Sequence, residues 1–179
     1  MGNNKAPVKD GITSEILKSV VDILPGYITT IYNGFLRSRH FPTRWKKAII
    51  LPINKPGKES SEKVSKFHPI SLLSIGGKML ENVLENKINN HVFSKEFMNK
   101  NQYGFTPQIC TKGAAMEIKE IVKEGLAAGE VIALVSSDVK VAFDAAWWPW
   151  ILKELRACGC PKNLYELTKS YFTQRTATL

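Results

Sequence analysis

Val131-Ile132-Ala133-Leu134-Val135 is an apolar run with no helical phase, closed by Ser136-Ser137-Asp138. Such a run reads as a buried strand, and a strand apolar on both faces must be covered on both. The run then ends in an aspartate, and Phe143-Asp144 follows five residues later. A carboxylate at the carboxyl end of a core strand is well placed to hold a hard divalent cation on a rigid element. The competing reading is a turn or helix cap, the commoner use of an acid at that place.

The surrounding chain supplies helices. Residues 14–22 carry Ile16, Leu17, Val20 and Val21 at helical spacing behind Thr13 and Ser14 as caps. A second helix is expected over 27–39, after the break at Leu24-Pro25-Gly26. The period changes at Trp45 to Ile53, which reads as a strand. The turn Asn54-Lys55-Pro56-Gly57-Lys58, the polar stretch 59–66 and a short return strand over 67–70 complete a basic hairpin. Helical spacing resumes over 72–92, and Gly76-Gly77, costing about 1 kcal/mol each inside a helix, moves the expected start to Lys78. An amphipathic helix over 114–128, a strand over 130–137, and helices beginning near Pro149 and after Pro161 follow. Trp147, Trp148 and Trp150 are expected to pack inside, as large aromatics beside a helix start usually do.

Charge points to a polyanionic partner. The net charge is +9, and nine lysines and arginines fall between Arg37 and Lys66. No stretch approaches the run of about 20 apolar residues needed to span a membrane, and the start lacks the apolar core of a secretory signal. Cys110, Cys158 and Cys160 have neither the number nor the spacing of a disulfide framework or zinc site. Reduced thiols in an intracellular protein, nuclear or cytoplasmic, are expected.

The order of short blocks is more specific than any block alone. Lys5-Ala6-Pro7 precedes Asp10-Gly11-Ile12; Phe41-Pro42 precedes Trp45-Lys46; Pro52-Ile53 precedes Lys55-Pro56-Gly57-Lys58. His68-Pro69-Ile70-Ser71-Leu72-Leu73, Gly77-Lys78 and Gln102-Tyr103-Gly104-Phe105-Thr106-Pro107 come next. Asp138 with Ala142-Phe143-Asp144, then Ala146-Trp147-Trp148-Pro149 and Ser170-Tyr171-Phe172, close the series. In this order the chain resembles the reverse transcriptase of non-LTR (LINE-type) retrotransposons, above all insect elements that insert into ribosomal RNA genes.

The resemblance implies an α+β fold of the right-hand polymerase type: a fingers-like region over 1–129 and an incomplete palm over 130–179. It implies a mostly helical chain with one basic β-hairpin and one palm strand. Asp138 matches a ligand of two Mg²⁺ ions, with the Val139 carbonyl as an additional ligand. Phe143 matches the aromatic under the incoming sugar that disfavours a 2′-hydroxyl. Lys55 stands where a lysine meets the triphosphate, and His68 where arginine is usual. Histidine lacks the guanidinium fork and is mostly neutral at pH 7, so triphosphate binding should be weaker. Lys46, Lys47, Gln102 and Phe105 fall at positions expected to contact nucleic acid. Val141 and Gly113 are further departures from the pattern.

The implied partners are an RNA template, a DNA primer and deoxynucleotide triphosphates. The family's Pro-Gln-Gly block and its later paired aspartates do not occur in this sequence. A metal site needs its full ligand set, so this chain alone is expected not to polymerise DNA. Two other readings stay open: a non-catalytic nucleic-acid-binding remnant, and a decayed reading frame.

Overall fold

A computed structural model of the protein describes residues 11–54, 67–95, 97–139, 142–143 and 145–179. These form two compact units: the described residues up to 91 together with 148–179, and residues 92–147.

The first unit begins with two helices. Thr13 caps α1 (Ser14–Ile23), its hydroxyl oxygen accepting from the Ile16 N–H at 3.3 Å. Pro25 opens α2 (Pro25–Ser38), where the ring's fixed φ suits a first helical residue. The Leu24-Pro25-Gly26 break is therefore a junction that starts the next helix two residues before the expected Tyr27. Arg39 ends α2 in the left-handed conformation. A short 3-10 turn, Thr43–Lys46, takes Trp45 out of the expected strand and leads into β1 (Lys47–Asn54).

β1 pairs antiparallel with β2 (Phe67–Leu72), with Ile49 opposite Leu72 and Asn54 opposite Phe67. The hairpin thus forms where the change of period indicated. Its connection, Lys55 included, lies outside the described residues. On the other side of β1 runs β3 (Thr176–Thr178), parallel, with Lys47 opposite Thr176. The sheet order is β2-β1-β3.

α3 (Ile75–Ser94) starts three residues earlier than the glycine penalty suggested. Close packing accounts for the difference. A Cβ on Gly76 would come within 2.7 Å of the Trp45 ring, and one on Gly77 within 2.9 Å of Trp45 Cβ. The buried Ser74 hydroxyl accepts from the Gly77 N–H at 3.2 Å, and the Gly76 carbonyl accepts from the Tyr32 hydroxyl at 2.9 Å. The glycines therefore give up helix propensity to let a tryptophan lie on the first turn.

After residue 147 the first unit resumes with α5 (Trp148–Ala157) and α6 (Lys162–Phe172). Its core joins Tyr32 and Leu36 of α2, Phe41, Leu80 and Leu84 of α3, and Leu164 and Leu167 of α6. Phe41 is 1% exposed and meets Tyr171 edge-on at 5.0 Å, while Trp45 stacks on Tyr32 at 6.0 Å. Burial of these side chains, worth about 1.5–3 kcal/mol each, is the main favourable term holding the unit together.

The expected packing of the three tryptophans is corrected here. Trp147, Trp148 and Trp150 are 68%, 44% and 51% exposed. Trp148 stacks on Phe172 at 5.2 Å, and the Lys153 ammonium lies 4.5 Å from the Trp150 ring centroid. Both are surface contacts.

The second unit is built on α4 (Thr111–Ala127). Met116, Ile118, Ile121 and Leu126 of its apolar stripe are all exposed. The expected strand over 130–137 does not form: residues 130–139 are neither helix nor strand, and Val131 and Val135 are 98% and 87% exposed. Only the start is held, by the Glu130 N–H on the Gly125 carbonyl at 2.9 Å and by Ile132, which lies over Gly125. A strand exists through the ladder it shares, and among the described residues none pairs with this segment.

Candidate functional site

The residues singled out in the sequence fall in both units, and each unit is described by itself. In the first, Lys47 is the exposed opening residue of β1, and His68 is an exposed residue of β2 opposite Ile53. Both face solvent on a small sheet, as a contact to a polyanion requires. Lys46 does not. It is 3% exposed, its ammonium donating to the Ser170 hydroxyl at 3.4 Å, so it is not on the open face of the sheet. The 3-10 turn is the cause, because it rotates Lys46 inward just before the strand begins.

Around Lys46 lies a polar network that sequence reasoning missed. Ser170 Oγ also accepts from the Phe41 N–H at 3.0 Å. The Tyr171 hydroxyl donates to Glu81 Oε1 at 2.6 Å, and the Arg175 guanidinium lies 4.2 Å from the Tyr171 ring centroid. Burial, followed by the hydrogen bond and charge of Glu81, pushes the Tyr171 hydroxyl up to about 12. Burial, then the nearby Arg175 charge, holds the Lys46 ammonium below its ordinary value. Ser170-Tyr171-Phe172 was legible as a block, whereas nothing local to Arg175 marked it.

In the second unit the Gln-Tyr-Gly-Phe block forms a tight turn. Gln102 Nε2 donates to the Gly104 carbonyl at 2.8 Å, and the Thr106 hydroxyl donates to the Gln102 carbonyl at 2.8 Å. Phe105 takes a left-handed φ of 57° and is 90% exposed. An ordinary hydrophobic anchor would be buried. Its ring instead meets Phe143 edge-to-face, centroids 6.1 Å apart at 88°, and Phe143 is itself 80% exposed. Two aromatics 38 positions apart in sequence thus form one open aromatic surface, suited to stacking on a base or sugar.

Asp138 and Val139 are exposed in the irregular segment between α4 and Phe143. Among the described residues no three His, Cys, Asp or Glu side chains cluster so as to hold a metal. Asp144 lies outside the described residues. One carboxylate and one carbonyl do not amount to a two-ion magnesium site, so the described residues alone do not fit that group.

Comparison with known sequences decides the kinship. A model of the family "Reverse transcriptase (RNA-dependent DNA polymerase)" matches residues 53–178. The chain belongs to the reverse transcriptase family. It is 30% identical over 171 residues to the probable RNA-directed DNA polymerase from transposon BS of Drosophila melanogaster, covering 96% of this chain and 19% of that protein. The corresponding protein from transposon X-element of the same fly is 31% identical, over 97% of this chain and 19% of its own length. A putative 115 kDa protein in the type-1 retrotransposable element R1DM is 28% identical over 99% of this chain and 17% of its own length. The reverse transcriptase resemblance thus extends to several fly elements and is not confined to one. This chain spans about a fifth of the length of these relatives. The Asp138 block lies inside the region matched to the reverse transcriptase family, as do His68, Gln102, Phe105 and Phe143.

Proposed function

We propose that this chain is a section of a non-LTR retrotransposon RNA-directed DNA polymerase, with fingers over 1–129 and the beginning of the palm over 130–179. The observation that carries this reading is the family match across 53–178, with the Asp138 block inside it. In a longer polypeptide such as the relatives have, Asp138 is one carboxylate of the magnesium site and Val139 lends its carbonyl. The remaining acids come from elsewhere in that polypeptide. A metal held there by Asp138, Val139 and those further acids would supply Lewis-acid charge stabilisation.

The residues of this chain supply the surroundings. Phe143, with Phe105 edge-on beside it, forms the floor against which the incoming sugar packs. Lys55 and His68 meet the triphosphate, Lys55 as a movable point charge. Lys47 and Gln102 meet the template–primer backbone. RNA template, DNA primer and deoxynucleotide triphosphates are the partners this assigns.

Primer extension on an RNA template by such a longer polypeptide tests the assignment. Asp138→Asn should abolish incorporation while leaving template–primer binding unchanged. Phe143→Ala should keep incorporation and admit ribonucleotides. Full activity in the Asp138→Asn protein would exclude Asp138 from the metal site.

A further inference from the structure

Lys46 and Arg175 are two cations of the first unit with no matching acid among the described residues. No ion pair joins Lys46 or Arg175 to a carboxylate among the described residues. Lys46 is 3% exposed, and the Ser170 hydroxyl, at 3.4 Å, is the partner found for an ammonium that carries three donors. Arg175 Nη1 is buried with no hydrogen-bond partner. Glu81 is already engaged, one oxygen by the Tyr171 hydroxyl at 2.6 Å and the other by Lys78 at 2.7 Å.

A buried ammonium without a counter-charge is costly, and a buried guanidinium nitrogen without an acceptor adds to the cost. An oxyanion removes both costs at once. A phosphate suits the pair better than a carboxylate, since its several oxygens can meet a guanidinium fork and a separate ammonium together. We propose that Lys46 and Arg175, flanked by the Ser170 and Tyr171 hydroxyls, form a binding site for a phosphate group. Arg175 is partly exposed, so the site borders solvent. The site stands on side-chain chemistry of the first unit and does not depend on the polymerase reading. In chain order it joins the residue before β1 to the residue before β3, the two strands that pair in parallel.

The source of the phosphate is either a free anion or a nucleic-acid backbone, and titration separates them. The 179-residue chain is titrated with inorganic phosphate at constant ionic strength, and separately with a ten-nucleotide RNA. Saturable one-site phosphate binding is expected, with a higher thermal midpoint than in chloride of equal ionic strength. Arg175→Gln and Lys46→Met should each weaken it roughly tenfold, the cost of one charge-assisted hydrogen bond. Arg175→Lys, which keeps the charge and loses the fork, should fall between. RNA binding that weakens in step assigns the site to a backbone phosphate, whereas RNA binding unchanged by the substitutions assigns it to a free anion. If the variants do not fold, the wild-type phosphate titration decides, since one-site binding saturates whereas the general stabilisation by a kosmotropic salt does not. Equal thermal midpoints in the two salts, or phosphate binding equal in folded wild type and variants, overturns the proposal.

Discussion

Gly76 and Gly77 show how one residue's cost is another's requirement. Read locally, two glycines at a helix start argue for fraying. In the fold they lie beneath Trp45, which also stacks on Tyr32, so a side chain at either position collides with the aromatic cluster. Gly77→Ala should therefore destabilise, although alanine favours helix by about 1 kcal/mol. Overpacking of about 1–3 kcal/mol opposes that gain, and the net effect is read from the denaturant midpoint. A higher midpoint would show that Trp45 yields easily. The same scale explains Lys46. A lysine beside a strand reads as solvent-facing, and only the turn at Thr43–Lys46 and Ser170, 124 positions away, reveal it as buried. Phe105 and Phe143 were legible one by one through their blocks. Their edge-to-face meeting was not, because no local pattern carries a contact across 38 residues.

Elements whose signal is local were readable. α1, α2, α6 and the β1–β2 hairpin follow from spacing, caps and turn residues carried in their own segments. Elements defined by distant partners were not. β3 has three residues and exists through β1, which it joins across 129 positions at Lys47 and Thr176. Residues 131–135 have the composition of a core strand and lack a ladder among the described residues, so the propensity is real and the strand is absent. Amide exchange should separate these cases. Amides of α2, α3 and α6, around the shared core, should be protected. Amides of 131–139 should exchange near unprotected rates, and should gain protection in a longer polypeptide that supplies pairing strands. Uniform protection from residue 40 to 179 in a monomer would contradict this.

At the scale of the molecule, sequence and structure carry different halves of the function. The +9 charge fits a polyanionic partner, and the family match over residues 53–178 bears out the reverse transcriptase kinship that the ordered blocks indicated. Asp138 and Val139 are exposed, and no acid cluster forms around them among the described residues. Placing a metal-dependent centre on one carboxylate leaves divalent cations without the oxygen ligands they require. The most direct measurement is primer extension on an RNA template by the 179-residue chain alone, with and without Mg²⁺. No incorporation is predicted, with or without the metal. Magnesium-dependent incorporation that Asp138→Ala abolishes would contradict the account, because the chain would then hold a complete site.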